Sequence, residues 1–463
     1  MKPFGKIGLG LGFVFIWSCR TIPLPVLSFL SPDREISTLA SFTLSVRGSN
    51  FQDDSKIFFN GQPKATTFLS SIELTCNVSA SDMALTPGAS QIVPTPVYVN
   101  TPQAGNSNIL NFSVHLYPEF LAAKKIADST SSYSDYIRPL IEIDNAKKLF
   151  VLWRDQRKLF FAVSSDTGAS WSAPAQINES PVGFYRFSLA VDKASGAVFV
   201  AWEEGSVIYL IRSTDFGQSW TPRAALTDPA AVTAENPGVF VDPSGGVYLA
   251  YPGRFPPGSD HYYAVTILKS TDQGRNFNPL GSIGWNTYFT GDNAPQFGLD
   301  KAGVFYLLFP SDFGTRYSTN YLSYSSNGGQ TWSAPSNINL NAPAMAIDEL
   351  NGLNIIGANM YLPYMYKLTF KRSTDKGVSW ASQDFADTSF AYSDLVVNAF
   401  GSTDVIWANR FVRSFDRGVT WSRLVNFTEE SKADRPTMVE DTSGRISIVW
   451  WNTAGGIYFS GSK

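Results

Sequence analysis

An eight-residue segment recurs six times between residues 164 and 421 of this 463-residue chain, and it constrains the fold more than any other feature. The copies are SSDTGASW from Ser164, STDFGQSW from Ser213, STDQGRNF from Ser270, SSNGGQTW from Ser325, STDKGVSW from Ser373 and SFDRGVTW from Ser414. The Asp carboxylate can accept backbone N–H groups across a turn, and the glycine can take a backbone conformation that other residues avoid. The recurrence therefore indicates an array of similar units joined by similar turns.

Each unit also contains regularly placed apolar segments. Seven such segments end in Asp or Asn, at Asp144, Asp192, Asp242, Asp300, Asp348, Asn398 and Asp441. A second apolar strand follows each of them and ends nine or ten residues later, at Trp153, Trp202, Tyr251, Phe309, Gly357, Trp407 and Trp450, with Gly357 as the weak member. A third strand precedes each eight-residue segment and a short fourth strand follows it. Four antiparallel strands per unit, repeating every 43 to 58 residues, are typical of a β-propeller blade.

The last unit is incomplete. It ends at GGIYFSGSK, without an eight-residue segment or a fourth strand. Because an open sheet edge exposes unpaired backbone groups, we expect residues 119–129 (EFLAAKKIADS) to supply the missing strand. The chain is thus predicted to be all-β, with seven blades from seven inner strands. Six blades are the alternative, since the flanking units are the hardest to assign.

The eight-residue segments match the Asp-box, or BNR, motif of sialidases and many other propellers. This resemblance implies that the boxes lie on turns away from the ligand face. Asn327 replaces Asp in the fourth copy and Phe277 replaces Trp in the third. The side chains at the Asp position are therefore expected to be structural: Asp166, Asp215, Asp272, Asn327, Asp375 and Asp416.

Residues 24–115 form a separate region of short alternating segments. FTLSVRGSNF (42–51), KIFFNGQ (56–62), ATTFLSSIELTCNV (65–78) and SNILNFSVH (107–115) are bounded by Gly, Asn and Pro, a pattern that predicts a small β-sandwich. The order of these segments, with the turn Gly48 to Phe51, resembles an IPT/TIG immunoglobulin-like domain. Such domains usually serve as spacers or binding modules, so the chemistry is expected in residues 116–463.

Residues 1–19 resemble an export signal. Lys2 and Lys6 precede the uncharged, mostly apolar run IGLGLGFVFIW, which is too short to span a bilayer. Cys19 follows Ile16-Trp17-Ser18, which is similar to a bacterial lipobox, although Trp17 departs from the small residue usual there. A lipidated Cys19 would leave Cys76 alone, whereas the alternative is a Cys19–Cys76 disulfide.

The composition excludes several functions. Lys and Arg number 36 and Asp and Glu 39, a formal net charge of −3, so nucleic acid is not expected as a partner. With two histidines in the chain, a Ser-His-Asp triad or a multi-histidine metal site is hard to assemble. We expect no cofactor and no metal site. Loop carboxylates leave calcium open, although no EF-hand spacing appears.

The residue six positions before each inner-strand Asp or Asn should lie near the mouth of the central channel. These residues are Arg138, Arg186, Asn236, Ala294, Ala342, Tyr392 and Arg435. In a closed ring of seven, the three blades that carry arginines are neighbours, so the arginines predict a cationic patch for a carboxylate, phosphate or sulfate. Alternatively, each arginine pairs with a nearby acid such as Asp135, Glu142 or Asp434 and joins blades.

The resemblance to sialidases implies a further comparison. Those enzymes bind the substrate carboxylate with three arginines, and use a glutamate-activated tyrosine as nucleophile and an aspartate as acid/base. Their first arginine lies in Arg-Ile-Pro, whereas this chain has Tyr136-Ile137-Arg138-Pro139, with the arginine shifted by one place. A one-residue shift turns a strand side chain to the other face. Further candidates on ligand-side loops are Arg254, Asp260, Arg316 and Glu203, but spacing fixes no Tyr/Glu pair and no catalytic residue.

These features together predict an exported, lipid-anchored protein at the cell surface or facing the periplasm, monomeric, with an Ig-like sandwich followed by a propeller. Its expected function is recognition of a glycan or a protein through the loop-rich face. The alternatives are an exo-acting sialidase-like glycoside hydrolase and a structural surface scaffold.

Overall fold

The computed structural model describes residues 22–36, 41–83, 92–115, 118–129, 138–178, 186–230, 232–254, 263–285, 294–311, 319–362, 365–388, 392–398, 401–422, 424–429, 433–452 and 455–462. The chain divides into two compact units, Met1–Tyr117 and Pro118–Lys463. Regular structure in the described residues is almost entirely β. No helix in these ranges has the length and apolar character needed to span a membrane.

The first unit is a two-sheet sandwich. Its elements are β1 (Val26–Ser31), β2 (Arg34–Ile36), β3 (Ser41–Ser49), β4 (Lys56–Phe59), β5 (Gln62–Pro63), β6 (Thr66–Ser70), β7 (Glu73–Ser79), a 3-10 turn (Ala80–Met83), β8 (Ile92–Thr101), β9 (Gly105–Asn106) and β10 (Leu110–His115). One sheet has the order β1-β3-β7-β6 and the other β2-β10-β8-β4-β5, with β9 paired to β8. The predicted Ig-like sandwich is therefore present.

The core of this unit lies between the two sheets. Alternate residues of β3 and β7 point inward, so that Leu44, Val46 and Leu74 are fully buried. Cys76 is a free thiol in this core, and burial raises its pKa to about 11. At Gly48, a Cβ atom would lie 1.9 Å from the carbonyl oxygen of Val26, so the β1–β3 pairing requires glycine there.

The described residues of the second unit form seven sheets. Its strands are β11 (Lys124–Ala127), β12 (Leu140–Ile143), β13 (Leu149–Asp155), β14 (Lys158–Ser164), β15 (Ala175–Gln176), β16 (Phe187–Val191), β17 (Val198–Glu204), β18 (Val207–Ser213), β19 (Ala224–Ala225), β20 (Thr233–Ala234), β21 (Gly238–Val241), β22 (Val247–Arg254), β23 (Tyr263–Ser270), β24 (Asn278–Trp285), β25 (Gln296–Leu299), β26 (Phe305–Ser311), β27 (Thr319–Ser325), β28 (Ser336–Asn337), β29 (Asn341–Ile347), β30 (Leu353–Leu362), β31 (Met365–Ser373), β32 (Ala381–Thr388), β33 (Ser393–Val397), β34 (Thr403–Trp407), β35 (Arg410–Ser414), β36 (Val425–Asn426), β37 (Ala433–Glu440), β38 (Ile446–Asn452) and β39 (Gly456–Gly461).

In chain order, sheets 1 to 6 are β12–β15, β16–β19, β20–β24, β25–β28, β29–β32 and β33–β36, and sheet 7 has the order β11-β39-β38-β37. The inner strands β12, β16, β21, β25, β29, β33 and β37 pack against one another in that order, and β37 packs against β12. These seven strands surround a central channel. The predicted β-propeller is thus the fold of this unit.

Sheet 7 is completed by the segment that precedes the first sheet, as predicted. Strand β11 pairs antiparallel with β39, with Lys124 opposite Phe459 and Ala127 opposite Ile457. Phe120 forms a further bridge to Ser462. The N-terminal segment therefore covers the edge of β39 and closes the last sheet.

The Asp boxes form the turns after the third strand of sheets 1 to 6. In the first box, Asp166 accepts hydrogen bonds from the Ser164 hydroxyl (2.8 Å) and from the backbone (2.8 Å) and hydroxyl (2.5 Å) of Ser170. The Ser170 hydroxyl is the main cause that lowers the pKa of Asp166 to about 2. Asp215, Asp272, Asp375 and Asp416 have equivalent bonds, so these carboxylates are occupied by their own turns.

The boxes also pack on the preceding sheet. The ring of Phe161, in sheet 1, lies beneath the second box, where a Cβ atom on Gly217 would come within 2.2 Å of it. Trp220 of that box meets the same ring edge-on at 5.1 Å. In the first box, Gly168 and Trp171 pack in the same way on the ring of Phe459, which belongs to sheet 7. This box therefore links sheet 1 to sheet 7, where the ring closes.

Antiparallel pairing gives the channel two distinct ends. Ile143, Leu149 and Ser164 are register partners, so the end of the inner strand lies beside the Asp box. The start of the inner strand lies at the other end, beside the turn that follows Asp155. We call these the Asp-box end and the mouth.

Candidate functional site

The central channel encloses a volume of about 630 Å³ and is lined by all seven inner strands. Sheets 1, 2, 6 and 7 contribute the charged lining residues: Arg138, Glu142, Arg186, Lys193, Asp394, Glu440 and Asp441. Sheets 3 to 5 contribute mostly apolar ones: Val239, Phe240, Ala294, Pro295, Phe297, Ala344, Met345 and Ala346. The volume falls in the range of about 300–1,000 Å³ that is usual for small-molecule sites.

Arg138 lies at the mouth, directly before β12, and lines the channel as predicted. Its Nη2 donates a hydrogen bond to the Ser393 carbonyl at 3.2 Å and lies 3.9 Å from Asp394 Oδ1. Its Nε is buried and has no hydrogen-bond partner among the described residues. The guanidinium is therefore anchored at one edge and retains donor capacity.

Asp394, the acid nearest to Arg138, is held mainly by backbone amides. Burial raises the pKa of Asp394, although Arg138 and two backbone amides oppose the rise. Those amides belong to Leu395 (3.0 Å) and Met438 (2.9 Å), so Asp394 also ties sheet 6 to sheet 7. Both carboxylate oxygens accept backbone amides, and the nearest Arg138 nitrogen lies 3.9 Å from Oδ1, so the carboxylate has a structural role.

Arg186 and Glu203 form the second charged group at the mouth. Arg186 lines the channel, and its carbonyl oxygen accepts the Glu203 amide at 3.2 Å. The Glu203 carboxylate accepts the backbone N–H of Asn236 at 3.2 Å. Burial raises the pKa of Glu203 to about 7, with Glu235 adding to the shift while Asn236 and Arg186 oppose it. Glu203 can therefore gain or lose a proton near neutral pH.

The third predicted arginine is placed differently. Arg435 is only 3% exposed, stacks on the Tyr392 ring at 4.6 Å and lies 3.6 Å from Asp434. It is not among the described residues that line the channel. A bulge between Asp434 and Thr437 and a left-handed backbone at Arg435 (φ 50°) interrupt the regular strand there. The structure thus brings two of the three predicted arginines into one channel.

Of the other predicted site residues, the structure describes Arg254 as well as Glu203. Arg254, at the end of β22, pairs with Glu235 at 3.2 Å. Glu204 pairs with Arg223 at 3.0 Å. Asp260, Arg316 and Cys19 lie outside the described residues. Tyr248 and Tyr306 donate to Asp242 and Asp300 at the Asp-box end, away from the mouth.

Two further acids, Glu142 and Glu440, line the channel. The sequence predicts Glu142 only as a partner for an arginine, and it predicts no role for Glu440. Burial raises the pKa of each to about 7, opposed by Lys193 for Glu142 and by Arg413 and Asn398 for Glu440. The available signal was an acid within an apolar inner strand, in LIEID and TMVED. In the described part of the chain, no three His, Cys, Asp or Glu side chains are grouped as metal ligands.

Comparison with known proteins agrees with this architecture. A BNR repeat-like domain model matches residues 194–405, and an IPT/TIG domain model matches residues 25–114. The chain is therefore an Asp-box β-propeller protein. The chain thus contains a BNR repeat-like domain within the propeller unit, and an IPT/TIG domain precedes it. No curated protein matches the chain.

Several solved structures are similar to the chain. The polysaccharide lyase Uly1 aligns with a TM-score of 0.50 and 10% identity, over 70% of this chain and 89% of its own. The Hadza microbial sialidase Hz136 aligns with a TM-score of 0.45 and 14% identity, over 96% of this chain and 93% of its own. The α-L-arabinanase of Penicillium chrysogenum aligns with a TM-score of 0.46 and 12% identity, over 74% of this chain and 98% of its own. At these identities the similarity concerns the fold alone.

Proposed function

We propose that the propeller is a recognition module that binds an acidic glycan at the channel mouth. The observation that carries the proposal is that Arg138 and Arg186 line the same channel, and that Arg138 keeps a buried Nε without a partner in the described residues. A guanidinium forms paired hydrogen bonds with a carboxylate. The ligand's carboxylate would bind the accessible part of the Arg138 guanidinium, whose side chain is 21% exposed.

The carboxyl groups in and around the channel suit the rest of a sugar. Ionised, they accept hydrogen bonds from hydroxyl groups, and protonated, they can also donate one. Glu203 and Glu142 both have pKa values raised to about 7 by burial, so at neutral pH they are only partly charged. Repulsion of an anionic ligand is reduced accordingly.

This arrangement gives binding a definite pH dependence. As pH rises through about 7, Glu142 and Glu203 lose protons and add negative charge near the two arginines. Affinity for an acidic glycan is therefore expected to fall between pH 6 and pH 8, while affinity for a neutral glycan changes less.

Calorimetric titration tests the proposal. The purified mature protein would be titrated with uronate, sialic acid and sulfated saccharides, each beside its neutral counterpart. Arg138→Ala should weaken binding of the acidic members about 10- to 100-fold, as loss of a charge-assisted hydrogen bond of about 1.5–3 kcal/mol implies. Arg275→Ala is the matched control, because Arg275 is exposed on an Asp-box turn at the other end. Equal affinity for acidic and neutral members, or an equal loss in both variants, contradicts the proposal.

Glycoside hydrolysis is the second candidate, and Glu203 is the observation that favours it. A carboxyl group with a pKa of about 7 at the mouth of a channel is suited to general acid catalysis. Chromatography of the same saccharides after incubation would detect release of a monosaccharide. Release that is abolished in Glu203→Gln would establish the hydrolase, whereas unchanged saccharides with retained binding leave a recognition module.

We further propose that the protein is exported, anchored by lipid on Cys19 and monomeric. The proposal rests on Lys2, Lys6 and the apolar run before Cys19. Mass spectrometry of the membrane fraction would detect a diacylated N-terminal cysteine, and Cys19→Ala should release the chain from membranes. A full-length, unmodified N-terminus in the expressing bacterium contradicts the anchoring, and light scattering checks the monomer.

A further inference from the structure

Below the mouth, the channel has two chemically different walls. Counting from the Asp that ends each inner strand, Glu142, Phe240, Phe297 and Met345 all lie two or three residues earlier, and all four line the channel. They are therefore at a similar depth. In the ring of seven inner strands, sheet 1 stands across the channel from sheets 4 and 5. Glu142 thus faces the wall that carries Phe297 and Met345. We call this level the deep channel.

The apolar wall is aromatic and partly accessible. Phe240 and Phe297 stack on each other with centroids 5.8 Å apart and planes 23° apart, and neither is fully buried. Gln296 is the one polar lining residue that sheets 3 to 5 contribute from the described residues. Its amide is already used, donating to the Pro343 carbonyl (2.7 Å) and accepting the Met345 amide (3.1 Å). This wall therefore offers a ligand a mainly apolar contact surface.

The opposite wall offers acceptors. Glu142 lies in the middle of β12, and Lys193 acts on it electrostatically. Further toward the Asp-box end, the Glu440 side chain is only 4% exposed, and its Oε2 has no hydrogen-bond partner among the described residues. Its Oε1 accepts from Asn398 at 3.0 Å. A buried polar atom without a partner is costly unless a ligand or water satisfies it.

We infer that the deep channel is a second subsite, which holds the neutral sugar ring adjoining the acidic residue bound at the mouth. A sugar ring has an apolar face, which would lie on Phe297 and Phe240, and hydroxyl groups at its edge, which would donate to Glu142. The inference rests on the proposed function and adds to it the class of ligand: an acidic sugar linked to a neutral one. An entirely apolar ligand would leave the carboxyl wall unsatisfied, and a second anion would meet Glu142 and Glu440.

Comparison of a mono- and a disaccharide tests the subsite. The protein would be titrated with glucuronate and with a disaccharide of glucuronate and galactose. Burial of roughly 50–60 Å² of apolar ring surface predicts that the disaccharide binds about tenfold more tightly. That ratio should fall to near one in Phe297→Leu, which keeps an apolar side chain for folding, and in Glu142→Gln, which keeps the shape. It should stay near ten in Arg275→Ala.

The outcomes separate the two proposals. If both saccharides bind with equal affinity, or if the tenfold ratio survives in Phe297→Leu and Glu142→Gln, the deep subsite is overturned and the anion site at the mouth stands. If neither binds, the proposed function fails and the subsite with it. Arg138→Ala should weaken both ligands by the same factor, and saturation-transfer NMR should locate the strongest enhancement on the galactose ring protons.

Discussion

Replacement of Gly217 by alanine should measure how strongly an Asp box is fitted onto the preceding sheet. Gly217 has φ +85°, and an added Cβ would lie 2.2 Å from the Phe161 ring. Gly303, in the turn between β25 and β26, has a similar φ of +79° but no atom within 4 Å of its Cβ position. Alanine at Gly303 therefore incurs only the conformational cost, whereas alanine at Gly217 incurs the same cost and a clash.

The expected magnitudes follow from these two terms. The left-handed conformation costs a non-glycine residue about 1–2 kcal/mol, which is the whole effect expected at Gly303. Overpacking adds about 1–3 kcal/mol, so Gly217→Ala should lower the free energy of unfolding by roughly 2–5 kcal/mol. Combining it with Phe161→Leu should restore part of the loss, because the smaller side chain makes room.

Urea unfolding followed by tryptophan fluorescence is the suitable assay. Trp17 is the one tryptophan before residue 118, so the tryptophan fluorescence of a chain that begins after it reports the propeller. Equal midpoints for Gly217→Ala and Gly303→Ala would refute the packing argument, as would strictly additive effects of Gly217→Ala and Phe161→Leu.

Three further predictions concern the closure and the buried charges. A chain that begins at residue 130 lacks β11, so the edge of β39 should be exposed and light scattering should detect association; a monomeric product would contradict this. Asp404→Asn should cost about 3–5 kcal/mol in urea unfolding, because Arg413 is buried and loses one of two 2.6 Å bonds to that carboxylate, whereas Asp404→Leu with Arg413→Met should recover most of it. Burial raises the pKa of Glu440 from 4.5 to about 7, so the folded state binds a proton more tightly than the unfolded state does. The stability that this proton contributes is complete below pH 4.5 and is lost as the pH rises through 7. Glu440→Gln should flatten that part of the pH–stability curve, and an unchanged curve would contradict the prediction.

The strand pattern was largely predictable, and the exceptions have physical reasons. Strand β8 was missed because Pro94 and Pro96 argue against a strand. Proline lacks the backbone N–H group that a strand donates to its neighbours. Both prolines are tolerated because only β10 pairs with this part of β8, whereas β4, on the other side, pairs only with Val97–Asn100. Residues 65–78, expected as one apolar segment, form the hairpin β6–β7.

Gly357, the weak member among the second-strand residues, also has an explanation in the packing. A Cβ there would approach the Asn341 carbonyl oxygen to 3.0 Å and Leu340 Cβ to 3.1 Å. Strand β29 is bulged between Asn341 and Ala344, which brings this segment close to β30. An aromatic side chain would not fit in sheet 5 at this position.

The candidate site was less predictable than the fold. The position six residues before the inner-strand Asp locates Arg138 and Arg186 on the channel. The same rule also predicts Arg435, which is not among the described residues that line the channel. A bulge and a left-handed residue redirect that side chain onto Tyr392. Such local irregularities depend on neighbouring sheets and leave no periodic signal in the sequence.

The sequence alone determined the features that repeat along the chain: the four-strand units, the Asp-box turns and the need for a closing strand before the first unit. These depend on local turn chemistry and on strand periodicity, which act over a few residues. The tertiary structure decided which side chains meet. Asp394 bonds to sheet 7 and lies near Arg138, and Glu142 lines the same channel as Phe297, because the ring brings together inner strands that are up to about 300 residues apart in the chain. Burial in that shared channel, which no single repeat encodes, is also what shifts the pKa values of its carboxyl groups.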